Sequence, residues 1–485
     1  MLKFIYKDTY LLHLNKLLNS KLLNYTTLVF VVFLILREIS VGRLDIDAGY
    51  FLSVSRKIAH GEFPIMDYSI NYPPVAFYVF SIPYLLFKDP NDLTIRIFNA
   101  CLVCITLILT HTILKKSIKN IFMTNTVMIA FSMFLASYIS EIKIELVICL
   151  LFITTLYTLQ IQKFKNSFIF SGITFLLVLL TKQYALILFP VFIIITSGCM
   201  VWENNTWKFR LNKLTLTSVY IWSGIFLLIL GFYYSLPKWD FNYMTGTIVG
   251  CKSYGVNWKE SHVLKDFFVF LKSGFPFLLL IVLMIPLIKK SGILVITIFS
   301  SLILIALAPL YFQFFNHYLT YVYLVLITLM AAFGPNIENA TYKLGRVDIS
   351  LILFLISLFQ LFRMDAYVMR NLKSDYKKQV GEKIRMTAIV NDLSRKFGIH
   401  ENAMIYPEMR DKQIWYYGKY NYPSKKFGFH YLDGISKECF IYCSHDFNKG
   451  TFLLCRRSYD DLSDFIFLGN CTYGDESIFV YKKTN

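Results

Sequence analysis

The sequence predicts a polytopic α-helical membrane protein that carries a small α/β domain at its C-terminal end. Composition is the first reason: the 485 residues are 56% hydrophobic and only 16% charged, with a mean hydropathy of +0.52. No soluble globular class has such a composition. The second reason is a series of about eleven apolar runs, most of them near the roughly twenty residues that a membrane-spanning helix needs. The runs are 22–39, 93–114, 120–139, 144–161, 167–181, 184–201, 214–236, 266–288, 291–308, 317–334 and 347–363.

Basic residues predict which side of the membrane each loop occupies. Lys and Arg concentrate in cytoplasmic loops, and the chain carries a formal net charge of +18. If segment 72–87 crosses the membrane, the cluster at 115–119 falls outside. If it stays on the surface or re-enters, every basic cluster falls inside. This bias favours an N-terminus inside and a C-terminus outside. It also makes membrane lipids and phosphate-bearing substrates the expected partners, and nucleic acid is not expected.

A domain boundary is predicted near residue 364, where the apolar runs stop. Residues 1–363 then form the transmembrane module, and residues 364–485 form an extracytoplasmic α/β domain. The stretch 382–397 has the apolar spacing of an amphipathic helix, and Gly398 is its stop signal. The strand-like runs of the tail are 403–406, 440–443, 451–455, 464–468 and 477–481.

Charge is unusually dense in the first predicted external loop, residues 40–92. Charged groups beside a membrane cost free energy unless they face water or a substrate. We interpret 47–60 as a short surface helix ended by Gly61 and Pro64, after which Tyr72 and two prolines start an apolar segment. The charged residues of the loop include Asp45, Asp47, Arg56, Lys57, His60, Glu62 and Asp67.

This loop resembles the first external loop of GT-C glycosyltransferases, nearest to their protein O-mannosyltransferase and aminoarabinose-transferase branch. The residues that carry the resemblance are Asp47-Ala48-Gly49-Tyr50-Phe51, Ser55-Arg56, Gly61 and Pro73-Pro74. Ala48 stands where an acid is common, and Tyr72 stands where some members have Lys. Fainter similarities continue through the Thr-Lys break at Lys182, the helix beginning near His317, and the tail segment 414–420.

The resemblance implies a multi-pass enzyme of a bacterial cytoplasmic membrane, with its active site on the extracytoplasmic face. Such an enzyme moves a monosaccharide, with inversion, from a polyprenyl-phosphate donor to a lipid, glycan or protein acceptor. No cofactor is certain. A divalent metal remains open, although Ala48 weakens the case for one held by adjacent acids. We assign no metal ligand.

Asp47 is the predicted catalytic residue. Sugar transfer to a hydroxyl needs a base that takes the acceptor proton, and a carboxylate at the membrane boundary can serve. The alternative is that Asp47 only caps the surface helix. Asp45 is a weaker second acid and a candidate for substrate binding; its alternative is a solvated loop carboxylate.

Cations are predicted to bind the donor phosphate. The candidates are Arg56, Lys57 and Lys182, the last of which lies between two apolar runs and must either snorkel or meet an anion. Arg56 could equally pair with an acid of its own loop.

Five further residues are candidates for substrate binding beyond Asp45. Glu141 and Glu145 bracket the start of a span, where an exposed turn with Lys143 as local charge partner is the alternative. His317 and Tyr318 begin a later apolar helix, where they could instead be an interfacial His and an aromatic-belt Tyr. Tyr72 precedes the two prolines of the first loop.

Two other functional classes stay open: a polysaccharide polymerase and a lipid-linked sugar transporter. A transporter is expected to show internal repeats and broken helices at the bilayer midplane, and the sequence shows no repeat. A polymerase would lack the first-loop pattern at 47–74.

Overall fold

The computed structural model describes the greater part of the chain. The residues described are 21–41, 48–64, 72–118, 120–161, 167–196, 200–203, 206–209, 224–225, 227–228, 231, 297, 300–306, 316–337, 343–344, 347–407, 413–420, 448–455, 458, 462, 464–473 and 476–484. The predicted spans 214–236, 266–288 and 291–308 lie largely outside them.

Helices dominate the part of the chain that is described. In chain order they are α1 (Lys21–Val41), α2 (Ala48–Ala59), α3 (Val75–Leu86), α4 (Asp92–Ser117), α5 (Ile121–Ala136), α6 (Tyr138–Glu141), α7 (Ile144–Ile161), α8 (Ser167–Leu179), α9 (Phe189–Thr196), α10 (Leu319–Ile337), α11 (Ile349–Phe397) and α12 (Gln413–Gly418).

Helix α4 shows how these helices divide their faces. It starts at the cap residue Asn91, whose side chain accepts a hydrogen bond from the Thr94 N–H at 2.9 Å. One face carries exposed apolar residues at the three- and four-residue spacing of a helix, and the opposite face is buried. The exposed residues are Leu93, Ile97, Cys101, Ile105 and Ile108. An exposed apolar face of this length fits a lipid environment.

Two of the described helical stretches are long and apolar enough to cross a membrane, α4 and the stretch Ile121–Glu141. Four shorter apolar helices accompany them, among them α3 and the stretch Leu319–Ala331. These stretches agree with membrane association, while the predicted number of spans stays a prediction.

Helix α3 bears on whether segment 72–87 crosses the membrane. It has twelve residues, which is about 18 Å of helix, against a hydrocarbon core of about 30 Å. At its start the Val75 N–H donates to the Leu180 carbonyl at 3.2 Å. Just beyond its end, the Pro90 carbonyl accepts a bond from Tyr416 of the tail at 3.2 Å. A helix this short favours the surface or re-entrant position.

The predicted span 184–201 is wrong as a single helix. The chain forms a 3-10 helix over Gln183–Leu188, then α9, and then a strand, β1 (Met200–Glu203), paired antiparallel with β2 (Thr206–Phe209). Pro190 explains the break before α9, because proline donates no backbone hydrogen bond and fits only the first turn of a helix.

A short hairpin, β3 (Lys343–Leu344) with β4 (Val347–Asp348), precedes α11. Helix α11 is 49 residues long and runs through the predicted boundary near 364, so the division into two domains stays a prediction. It ends at Phe397, and Gly398 follows with a φ of 64°. The predicted end of the amphipathic helix at Gly398 is therefore confirmed, and glycine adopts this left-handed conformation without a steric penalty.

The tail ends in a four-stranded sheet of β5 (Ile405–Pro407), β6 (Phe452–Cys455), β7 (Phe465–Tyr473) and β8 (Glu476–Lys483). The strand order is β5-β6-β8-β7; β5 pairs with β6 in parallel, and the other pairs are antiparallel. Four of the five predicted tail strands are confirmed. Three agree within two residues at each end, and the fourth, 464–468, extends further to Tyr473. The fifth, 440–443, lies outside the described residues.

Candidate functional site

A buried ion pair forms the centre of the candidate site. Lys182 Nζ lies 2.5 Å from Glu145 Oε1, and the two side chains are 5% and 2% exposed. Glu145 stands in the first turn of α7, and Lys182 follows the end of α8. The chain turns sharply before α7 because Ile142 adopts a left-handed conformation, with a φ of 49°. These two helix ends bring a carboxylate and an ammonium together across 37 residues of sequence.

Three tyrosine rings surround the Lys182 ammonium. Its Nζ lies 4.9 Å from the ring centre of Tyr318, 5.4 Å from that of Tyr72 and 5.7 Å from that of Tyr184. Aromatic faces attract cations at such distances, and the attraction grows when water is excluded. The rings therefore shield the ammonium from solvent while Glu145 balances its charge.

His317 lies on the more exposed side of the pair. Its Nε2 is 3.8 Å from Glu145 Oε1, and its side chain is 18% exposed. Its ring also packs edge-on against Tyr318, with the two ring centres 4.5 Å apart. If Lys182 moved away, His317 would be the basic group nearest to the Glu145 carboxylate among the described contacts.

Tyr138 connects α6 to the start of α10 beside this cluster. Its hydroxyl forms a hydrogen bond with Thr320 Oγ1 at 2.8 Å and donates to the His317 carbonyl at 3.3 Å. Both bonds are shielded from water, because Tyr138 and Thr320 are fully buried. The start of α10 is thus held against α6 by directional bonds as well as by packing.

Tyr72 joins the cluster to the first loop. Its ring centre lies 6.1 Å from that of Phe51 in α2, and its ring also faces the Lys182 ammonium. The buried ring of Phe51 also packs 5.9 Å from Phe77 of α3. The first-loop helix therefore lies one aromatic ring away from the ion pair.

The structure brings together five of the residues singled out from the sequence, which we call the Lys182 cluster: Tyr72, Glu145, Lys182, His317 and Tyr318. Sequence analysis missed Tyr138, Tyr184 and Thr320. The signal that could have found them is the one that pointed to Glu145, a polar group at the edge of an apolar run.

The remaining predicted site residues lie elsewhere or are not described. Asp45 and Asp47 fall outside the described residues, and α2 begins at the next residue, Ala48. Lys57 pairs with Glu62 at 3.3 Å, and Arg56 stands beside it in the last turn of α2. Glu141 ends α6 and is half-buried.

The charge partner observed for Glu145 differs from the one expected for an exposed turn. Lys143 was the local partner in the exposed-turn alternative, but Glu145 pairs with Lys182 instead. Lys143 itself is buried, with 9% of its surface exposed. The Glu145 end of this turn is therefore part of the protein interior.

No group of three or more His, Cys, Asp or Glu side chains with the proximity of a metal site occurs within the described ranges. Asp45 and Asp47, the acids of the first loop for which a metal was left open, are outside those ranges.

Comparison with known proteins gives a distant structural likeness. No family model matches the chain, and no curated protein matches it. Among solved structures, the chain is similar to an oligosaccharyltransferase from Archaeoglobus fulgidus, crystallised with zinc and sulfate. The identity is 12% and the TM-score 0.43, over 94% of this chain and 73% of the other. The function proposed below therefore rests on this chain's own residues and contacts.

Proposed function

We propose that this protein is an integral-membrane glycosyltransferase. It moves a monosaccharide from a polyprenyl-phosphate donor to a lipid, glycan or protein acceptor on the extracytoplasmic face of a bacterial cytoplasmic membrane. The first-loop pattern at 47–74 supports this proposal. The observation that carries it is the Lys182 cluster, a largely buried set of charged and aromatic groups gathered where apolar helices end. The cluster includes Tyr72 of that pattern, and α2 lies one ring away from the ion pair.

Asp47 is the general base of the proposed reaction. It takes the proton of an acceptor hydroxyl as the oxygen attacks the anomeric carbon of the donor. The bond from that carbon to the phosphate oxygen breaks, its electron pair leaves with polyprenyl phosphate, and the configuration inverts. Asp47 is bonded to Ala48, the first residue of α2, and Phe51 lies about one helical turn further on. In the sequence, the proposed base therefore directly precedes the helix that contacts Tyr72.

The donor phosphate needs cationic partners, and Arg56, Lys57 and Lys182 are the candidates. Lys182 is neutralised by Glu145 in the described state. Its contact with a phosphate therefore requires it to exchange one anion for another. Glu145 would then keep His317 as its nearest basic neighbour, at 3.8 Å. The remaining substrate candidates, Asp45, Glu141 and Tyr318, complete the proposed site.

The proposed topology places the N-terminus inside and the C-terminal domain outside. Two features support it. The basic residues Lys115 and Lys116 lie at the C-terminal end of α4. The tail bonds to the opposite end of that helix, through Tyr417 and Asp92. The tail and the first loop therefore share one side of the membrane if α4 crosses it.

The test compares the wild-type protein with Asp47→Asn, both purified in lipid nanodiscs. Release of sugar is measured from a panel of polyprenyl-phosphate monosaccharides, with membrane-glycan extracts as acceptors. We expect one donor to turn over with the wild type. The variant should bind that donor and lose turnover by about a hundredfold or more, as is typical when a general base is removed.

Asp392→Asn is the matched control, because Asp392 pairs with Arg395 on the exposed face of α11, away from the Lys182 cluster. It should retain wild-type turnover. Full activity in Asp47→Asn would make this residue a helix cap and refute its role as the base. Failure of every donor with the wild type would refute the proposed function and favour a polymerase or a transporter.

A further inference from the structure

The tail segment 415–419 bonds to the corner between α3 and α4, which we define as residues 87–92. Two tyrosines of this segment bond to residues of the corner that lie 325 and 326 positions away in the sequence. Two of the three bonds involve carboxylates, and such charge-assisted bonds are roughly twice as strong as neutral ones. The bonds are Tyr416 hydroxyl to Pro90 carbonyl at 3.2 Å, Tyr417 hydroxyl to Asp92 Oδ2 at 2.9 Å, and Lys419 Nζ to Asp89 Oδ2 at 2.9 Å.

The ionisation states of this contact favour it near neutral pH. Burial, together with the neighbouring Asp92 carboxylate, raises the pKa of the Tyr417 hydroxyl, so the hydroxyl keeps its proton and donates it. The hydrogen bond to Asp89 raises the pKa of Lys419, so its ammonium stays charged. The other acid near Lys419 is Glu401, at 3.3 Å.

The segment is itself anchored to the tail domain. Trp415 is fully buried and its Nε1 donates to the Ile405 carbonyl of β5 at 2.9 Å. The Asn402 N–H donates to the Lys419 carbonyl at 3.0 Å. The tyrosines and the lysine therefore project from a backbone that the sheet holds in place. Because the Trp415 side chain is fully buried in these internal contacts, it has no exposed surface that could bind an acceptor.

Helix α3 connects the corner to the Lys182 cluster. It is a rod of about 18 Å with the tail bonded beyond one end. Its other end is held by the Val75–Leu180 hydrogen bond, next to Tyr72 and the Lys182 ammonium. The tail helix α12 also packs against α2, the helix that contacts Tyr72 through Phe51. Movement of the corner would thus be transmitted along α3 and α2 to the ring of Tyr72.

We propose that Tyr416, Tyr417 and Lys419 are positioning residues for the Lys182 cluster. They hold the corner, and the corner holds α3 with Tyr72 over the Lys182 ammonium. The proposal of a mechanical link rests on the contacts alone. Its consequence for turnover rests on the proposed function.

The test uses the full-length chain in lipid nanodiscs and compares wild type with the double variant Tyr417→Phe/Lys419→Met. The first readout is backbone amide hydrogen exchange. We expect exchange in peptides that cover residues 84–92 to rise by about tenfold, from the loss of two charge-assisted bonds. Exchange in 464–473 and 476–484 should stay unchanged, because the sheet remains folded.

Two further variants separate positioning from a general structural effect. The single variant Lys419→Arg keeps both the cation at this position and the Tyr417 hydroxyl. Its exchange at 84–92 should be as slow as that of the wild type. Tyr376→Phe, an exposed position on α11, is the matched tyrosine control and should behave as wild type. The second readout is sugar transfer, in which the double variant should lower kcat several-fold and leave the donor KM nearly unchanged.

Unchanged exchange at 84–92 in the double variant would refute the mechanical link. An equal rise in the sheet peptides would also refute it, since the substitutions would then unfold the tail. Faster exchange at 84–92 with unchanged kcat would keep the link and refute its role in turnover. Absence of sugar transfer in wild type would refute the proposed function without touching the exchange result.

Discussion

Replacing Lys182 with Met tests whether the ion pair between Lys182 and Glu145 is buried from water, as the structure shows it. Met is close to Lys in length and carries no charge, so the substitution removes the ammonium and fills much of its space. The Glu145 carboxylate would then stay buried without its partner, and both side chains are at most 5% exposed. Among the described contacts, His317 at 3.8 Å would be the remaining basic neighbour.

The expected cost follows from the burial of the pair. Removing one member of a buried pair typically destabilises a protein by about 3–5 kcal/mol, because the other charge is left uncompensated. We expect the free energy of unfolding of Lys182→Met to fall by about that amount, or by somewhat less if His317 becomes protonated.

The double variant Glu145→Leu/Lys182→Met makes the prediction sharper. It removes both charges, so no uncompensated ion remains in the interior. Apolar replacements of a whole buried pair are often neutral or stabilising. The double variant should therefore be more stable than either single variant, and the coupling energy should recover most of the cost of Lys182→Met.

Unfolding of the detergent-solubilised protein, followed by circular dichroism against denaturant, measures these differences. The control pair is Glu382–Arg385 on α11, where the side chains are 28% and 30% exposed and 3.5 Å apart. Arg385→Met should cost about 0.2–1 kcal/mol, as exposed pairs do. If Lys182→Met costs no more than Arg385→Met, the pair is solvated and our reasoning about the cluster fails.

Two further substitutions test the packing on either side of the site. Gly418→Ala should destabilise the tail by about 1–3 kcal/mol in the same denaturant titration, because a Cβ there would lie 2.1 Å from the buried ring of Tyr420. Gly381→Ala in α11, where a Cβ meets nothing within 4 Å, is the control and should be neutral or stabilising. Tyr138→Phe should lower the free energy of unfolding by about 1 kcal/mol through loss of the bond to Thr320, and an unchanged denaturation midpoint would contradict that bond.

Much of the helical layout could be predicted because its signals are local. The apolar runs 93–114 and 120–139 predicted α4 and α5, whose starts the structure places after the capping residues Asn91 and Asn120, and Gly398 ends α11 as predicted. Each signal acts within one turn of the helix end that it marks. The error at 184–201 arose because the prediction used hydropathy averaged over the whole run and ignored the local effect of Pro190.

The candidate site could be predicted only in part. Glu145, Lys182 and His317 attracted attention because charged or basic groups at the edges of apolar runs need a partner or a substrate. Their partners could not be inferred, since periodicity says nothing about which helix ends meet. Lys143 was the obvious neighbour of Glu145, and the observed partner is Lys182, 37 residues away.

The sequence by itself determined the apolar, mainly helical character of the molecule and the positions of its few polar residues. A chain that is 56% hydrophobic and 16% charged has few polar groups to place, so those it retains at the ends of apolar runs stand out. The tertiary structure alone decided their pairing, with Lys182 on Glu145 and the tail tyrosines on the α3–α4 corner. The physical reason is that capping and hydropathy act over a few residues, whereas these contacts form only after distant helix ends have packed together and excluded water.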